Sequence, residues 1–349
     1  MNHLFLFIAV VVATGIFSLA IKKIAGHFGI VDNPPADLAS RKIHRAPVPL
    51  LGGLAIFLGF FLAVALVWWR EPQLFIHLLP RQLLALFIGS AVLMIGGYLD
   101  DKYNLKPWQQ IIFPVVAVLC ALLGGINLKE ITNPFGGVVS LDFWRVGGRL
   151  LAVDALVFVW LLGITYTTKI LDGLDGLVSG LTAIGGLMIY FLSSTEKFYQ
   201  PDVAMVALIF AAANLGFLVL NFYPAKLFLG EGGSLLTGFV LGFLAIAAGG
   251  KIATTLLVMG LPAIDVLATI IRRALSKRSP VVGDASHLHY RLLGAGLSQR
   301  QAVLFYYSLA VIFGILTLFL QSKQKLVALI SLFLLATVII AFFNRKKSI

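Results

Sequence analysis

Residues 155–180 read ALVFVWLLGITYTTKILDGLDGLVSG: fourteen uncharged residues run into Lys169, and the acids Asp172 and Asp175 follow within six positions. Carried back to residue 147, the apolar stretch reaches about 20 residues, the length a helix needs to cross a hydrocarbon core of about 30 Å. A second apolar run begins at residue 176, directly after the acidic turn. Two helices joined in this way present two carboxylates at a membrane surface.

The rest of the chain repeats the pattern. Of 349 residues, 60% are hydrophobic and 12% charged, and mean hydropathy is +0.98, which excludes an ordinary soluble domain. Apolar runs fall near 3–24, 50–69, 83–99, 107–125, 147–168, 176–194, 202–221, 234–250, 252–271, 301–321 and 325–343. The expectation is an all-α polytopic membrane protein of about 11 transmembrane helices, one integral-membrane domain over 1–349. The first run is too long for the apolar stretch of a signal peptide and is read as a retained span. The single cysteine, Cys120, lies inside the fourth run and cannot form an intrachain disulfide. Turn signals between β-prone runs in NLKEITNPFGGVVSLDFWRV (127–146) predict a small external β-hairpin.

With eleven spans, the loops alternate between faces. Those after odd spans, with the C-terminal tail, hold 18 of the 27 Lys and Arg. The positive-inside rule then puts the N-terminus outside and the C-terminus in the cytoplasm of a plasma or inner membrane. The net charge of +12 is accounted for by membrane topology and phosphate-facing loops, so lipid is expected as a partner and nucleic acid is not.

Every polar cluster of note falls on that cytoplasmic side: DNPPADLASRKIHRAPVPLLGG (32–53), GYLDDKYNLKP (97–107), KILDGLDG (169–176), NFYPAKLFLGEGGS (221–234) and RRALSKRSPVVGDASHLHYRL (272–292). Asp100, Asp101, Asp172, Asp175 and Glu231 would repel one another if held together, a conflict that a divalent cation resolves. Few oxygen ligands open to water suit Mg2+ or Mn2+ completed by phosphate oxygens. Lys42, Arg45, Arg272, Arg273, Lys277 and Arg278 supply the opposite charge for phosphates. Gly230, Gly232 and Gly233 are read as letting the backbone approach a ligand, with Ser234 capping the next helix. Taken singly, each segment also has a bland reading: acids that end a helix, a glycine turn, a basic run that fixes topology. Their convergence on one face points to metal-assisted phosphoryl transfer on a membrane-bound acceptor.

In order and content, DNP with RKIHRAPVPLLGG, GYLDD, LDGLDGLVSG, NFYPAKLFLGEGGS and DASHLHYRL resemble the polyprenyl-phosphate N-acetylhexosamine-1-phosphate transferases. This is the family of the WecA and TagO enzymes and, more distantly, of the phospho-MurNAc-pentapeptide transferase. The resemblance implies that a polyprenyl phosphate such as undecaprenyl phosphate displaces UMP from a UDP-N-acetyl-sugar, initiating a surface polysaccharide. It further implies that Asp175 and Glu231 hold the metal and that Asp100, with Asp101 beside it, orients or deprotonates the acceptor. Asn221, Phe228 and Asp172 would meet the nucleoside. Lys42, His44, Arg45, Lys169, Arg272, Arg273, Asp284, His287, His289 and Arg291 would meet phosphates and sugar.

Three positions depart from the family pattern: Glu231 where an Asp is usual, Lys169 where an Asn is usual, and Tyr290 where a His is usual. The leading reading is transfer of N-acetylglucosamine-1-phosphate. A pentapeptide transferase, a non-catalytic homologue that binds nucleotide-sugar or lipid, and a lipid transporter stay open, as does a homodimer. A transporter should carry charge at mid-span, where only Asp154 and Asp265 come close.

Overall fold

The computed structural model describes residues 2–34, 46–128, 130–133, 135, 137–141, 151–275 and 287–345. Within them the helices are α1 His3–His27, α2 Gly52–Arg70, α3 Pro80–Tyr103, α4 Pro107–Gln110, α5 Ile112–Leu123, α6 Leu151–Leu171, α7 Leu177–Ser193, α8 Pro201–Asn221, α9 Gly230–Ala247, α10 Ile252–Leu275, α11 Leu288–Gly294, α12 Gln299–Phe319 and α13 Ser322–Arg345. Nine of these, α1, α2, α3, α6, α8, α9, α10, α12 and α13, are long and apolar enough to cross a membrane. The fourth and sixth apolar runs give shorter helices. The fourth breaks at Ile111 into α4 and α5, and α7 has 17 residues, about 25 Å at 1.5 Å per residue.

Helix ends differ from the apolar runs in a way that matters for function. The run that stops before Asp100 is the body of α3, which continues to Tyr103 and ends where Asn104 adopts φ +49°. Likewise α6 extends through Lys169 to Leu171. A charged residue ends an apolar run without ending a helix, so Asp100, Asp101 and Lys169 stand on rigid last turns.

Helices α8 and α9 are buried almost all round, in keeping with sequences that are apolar on every face. α1 and α13 flank the bundle. Leu4, Ile8, Val12, Ile16 and Leu19 form an uncovered stripe on α1, and Val327, Ile330, Leu334 and Val338 form one on α13. Apolar faces of this extent belong against lipid.

Two small antiparallel ladders complete the fold. The expected hairpin is present, with β3 Glu130–Thr132 paired to β4 Val138–Ser140. The other was not expected: β1 Val31–Asp32 pairs with β2 Val48–Pro49. This ladder fixes Asp32 beside the acidic cluster.

Candidate active site

Glycine pairs bring the acids together. A Cβ added at Gly97 of α3 would lie 2.0 Å from Gly232 N, and one at Gly53 of α2 would lie 2.2 Å from Gly233 Cα. Backbone therefore touches backbone where α2 and α3 meet the first turn of α9, and Asp101 is drawn up to Glu231, whose N–H it accepts at 3.3 Å. Gly230 has φ +75°, and a side chain there would meet Asp101 Oδ2 at 2.8 Å. This corrects the expected role of the glycines: Gly232 and Gly233 serve helix packing. Ser234 is not a cap either. It lies within α9 and its Oγ donates to Glu231 O at 3.0 Å.

The result is a cavity of about 950 Å3 whose wall includes Asp101, Asp172, Asp175, Glu231, Lys169 and Phe228. The LDGLDG turn enters it between α6 and α7 and is held at several points. Gly176, at φ +82°, gives its N–H to Asn221 Oδ1 at 3.1 Å, and its carbonyl accepts the Tyr307 hydroxyl. Asp175 Oδ2 accepts Ala225 N–H at 2.9 Å, just after the cis Tyr223–Pro224 peptide bond. Asp172 is open to the cavity yet enclosed by protein. That enclosure, reinforced by the charges of Glu231, Asp101 and Asp175, holds its carboxyl well above the ordinary carboxylate range.

Among the described residues of the cavity wall, Lys169 is the cation that faces these acids. Lys169 Nζ is 2.9 Å from Glu231 Oε2 and donates to Gln110 Oε1 at 3.0 Å. Gln110 Nε2 in turn donates to Asp100 Oδ1 at 3.0 Å, and Leu105 N–H donates to the same oxygen at 2.9 Å. Asp100 is thus buried at the end of α3 and shapes the turn into α4. Of the adjacent pair, Asp101 lines the cavity and Asp100 does not. Gln110 lies in no motif, and nothing in the sequence marks it.

Phe228 owes its position to backbone bonds with the segment before α2: its N–H donates to Pro49 O at 2.9 Å and its carbonyl accepts Gly52 N–H at 2.9 Å. Asn221 also borders the cavity but is buried and engaged. Its Oδ1 accepts Gly176 N–H and Ser179 Oγ at 2.9 Å, and its Nδ2 donates to Leu227 O at 3.1 Å, leaving one amide hydrogen for a ligand.

The HLHY segment meets the turn from the other side. Asp265 of α10 pairs through Oδ2 with His287 Nδ1 at 3.0 Å and accepts Leu288 N–H at 3.0 Å through Oδ1, which fixes the start of α11. His289 is buried, and a Cβ at Gly173 would lie 2.6 Å from its Nε2. Neither ring nitrogen has a partner among the described residues. Burial pushes its pKa down to about 3, against the pull of Asp265 and with the push of His287. Tyr290, and not His287 or His289, reaches the cavity, where Asp32 and Gln299 also lie without having been expected there. Arg272, Arg273 and Arg291 are not among the described residues of the cavity wall. Lys42, His44, Arg45, Lys277, Arg278 and Asp284 lie outside the described residues.

No three His, Cys, Asp or Glu side chains among the described residues stand close enough to form a ready-made metal cage. The donor set fits a divalent cation completed by ligand phosphates: five carboxylates, Asp32, Asp101, Asp172, Asp175 and Glu231, line the cavity with Lys169 beside them.

Comparison with known proteins agrees with this arrangement. A family model for glycosyl transferase family 4 matches residues 83–249, from α3 through α9. The chain is similar to the Bacillus subtilis protein named "Probable undecaprenyl-phosphate N-acetylglucosaminyl 1-phosphate transferase", at 31% identity over 94% of this chain and 88% of that one. It is 31% identical to the decaprenyl-phosphate N-acetylglucosaminephosphotransferase of Mycolicibacterium smegmatis, over 82% of this chain and 74% of that one. To the undecaprenyl-phosphate alpha-N-acetylglucosaminyl 1-phosphate transferase of Salmonella typhi it is 28% identical, over 88% and 81%. With the likeness running over 94% of its length and its acidic turns meeting in one cavity, the chain belongs to the WecA/TagO-like polyprenyl-phosphate N-acetylhexosamine-1-phosphate transferase family.

Proposed function

We propose that the protein transfers N-acetylglucosamine-1-phosphate from UDP-N-acetylglucosamine to a polyprenyl phosphate on the cytoplasmic face, releasing UMP. The observation that carries this reading is the single cavity shared by Asp101, Asp172, Asp175, Glu231 and Phe228, together with relatives named for polyprenyl-phosphate N-acetylglucosamine phosphotransfer. An acceptor phosphate oxygen forms a bond to the sugar-linked phosphorus, and the bond from that phosphorus to the bridging oxygen breaks. UMP leaves with the electron pair.

Asp175 and Glu231 would hold Mg2+ or Mn2+ with the donor's phosphate oxygens, and the ion would neutralise diphosphate charge. The chain's own residues do the positioning. Phe228 offers a ring face for the uracil. Lys169 has an ammonium within reach of both Glu231 and the cavity, ready for a phosphate oxygen. Asp101, with Glu231 N–H as partner, orients the acceptor; a phosphate monoester is already largely ionised near neutrality, so orientation is the larger task. Asp100 acts at one remove, by fixing the α3–α4 turn through Leu105 and Gln110.

One observation supports a second reading. The 2.9 Å Lys169–Glu231 pair neutralises a proposed metal ligand, as expected of a homologue that binds nucleotide-sugar without turning it over. Purified protein given undecaprenyl phosphate, Mg2+ and a panel of UDP-sugars distinguishes the two. UMP formed from UDP-N-acetylglucosamine, and lost with EDTA, supports transfer. UDP-sugar binding without UMP from any donor supports the second reading.

A further inference from the structure

A second concentration of charge lies at the other end of the same helices. α7 leaves the acidic cavity at Leu177, α8 returns to it at Asn221 and α9 starts from it at Gly230. The α7–α8 and α9–α10 connections are therefore one helix length away, roughly 25 Å. They carry Lys197 and Lys251, and Lys325 stands near them on the first turn of α13.

These lysines crowd one another. Lys251 Nζ lies 3.5 Å from the centroid of the Phe198 ring and Lys197 Nζ 5.4 Å from the same centroid. Beside them is a cavity of about 330 Å3, lined by His77, Lys197, Phe198, Gln200, Gly249 and Lys251 among others. No carboxylate pairs with Lys197, Lys251 or Lys325 among the described residues. The buried acid of this end, Asp202, is committed to His77 and to the N–H groups of His77 and Leu78. Burial, with the charges of Lys325 and Lys197, pulls Lys251 down to about 8.

Like charges gathered round a cavity with no carboxylate paired to them among the described residues raise the energy of the empty site, and the C-terminal carbonyls of α7 and α9 offset only part of that cost. Topology offers no reason for them, since the positive-inside rule favours cations at the opposite end. An aromatic floor under two ammonium groups, at the level where crossing helices end, suits a singly or doubly charged oxyanion in the interfacial layer. We propose that this cavity is a phosphate-binding site on the face opposite the acidic cavity, with Lys197 and Lys251 as its contacts and Lys325 reinforcing their field. The phosphate can belong to an anionic phospholipid headgroup or to free phosphate in water, and neither depends on the transferase reading.

The test is the acylation rate of Lys251 in the full-length protein at about pH 8, read by peptide mass spectrometry relative to Lys23 at the other end, which corrects for surface potential. A phosphate in the cavity restores an ordinary lysine pKa and slows labelling of Lys251 by about tenfold or more. Slowing in nanodiscs containing phosphatidylglycerol, but not in phosphatidylcholine alone, identifies a lipid headgroup. Slowing in phosphatidylcholine on adding inorganic phosphate identifies the free anion. The protection should vanish in the Lys197→Gln/Lys325→Gln protein. Labelling unchanged by both probes, or protection that persists in that variant, overturns the proposal.

Discussion

Lys169 sits 2.9 Å from Glu231, in the electrostatic position that a divalent cation bound to that carboxylate would share. The two cations compete, so removing the ammonium should strengthen metal binding. Lys169→Asn is expected to raise Mn2+ affinity by about tenfold, near 1.4 kcal/mol, measured by electron paramagnetic resonance on protein without nucleotide; an unchanged affinity would show that the pair is too loose to compete. His289 allows a second expectation. The folded chain keeps this imidazole neutral down to about pH 3, whereas the unfolded chain protonates it below about pH 6.5. Its contribution to stability is therefore whole above about pH 6.5 and declines as pH falls, by up to ~1.4 kcal/mol per unit. Melting curves in detergent should fall more steeply with acid for the unmodified protein than for His289→Gln, and parallel curves would refute the burial argument.

At the scale of elements, the site is an outcome of how closely α2 and α3 approach α9. Gly97→Ala pushes a methyl group into the backbone of Gly232 and should cost about 1–3 kcal/mol of stability while separating Asp101 from Glu231. Gly163→Ala on α6, where nothing lies within 4 Å of the added Cβ, is the control and should leave both stability and UMP release nearly unchanged. Equal behaviour of the two variants would contradict the interlock. Much of this was legible in the sequence as residues but not as reasons. The acidic turns and the GEGGS stretch stand out by composition, and the spacing of apolar runs gives the helices. What the sequence conceals is partnership across it: Gly97 with Gly232, Gln110 between Asp100 and Lys169, Tyr307 on Gly176. Gly97 with Gly232, Gln110 with Lys169 and Tyr307 with Gly176 join segments more than fifty residues apart and leave no local pattern. Helix ends were misjudged for a related reason, since charge at Asp100 and Lys169 interrupts hydropathy but not the backbone ladder.

For the whole molecule, apolar stripes on α1 and α13 and acids gathered at one end of the bundle describe a protein in a bilayer with its chemistry at one surface. We propose, from the charge asymmetry of the loops, that this surface is the cytoplasmic one. In a Cys120→Ser background, a cysteine at Lys226 should react with an impermeant maleimide only from the cytoplasmic side, and one at Lys197 only from the other; reaction of both from one side would overturn the topology. The central claim concerns which bond breaks, and UDP-N-acetylglucosamine labelled in its β-phosphate tests it most directly. With undecaprenyl phosphate and Mg2+, the label should pass into the lipid fraction while unlabelled UMP appears in equal amount. Label released as UDP would mean sugar transfer without phosphate, and label remaining in the donor would mean a protein that binds the nucleotide-sugar without acting on it.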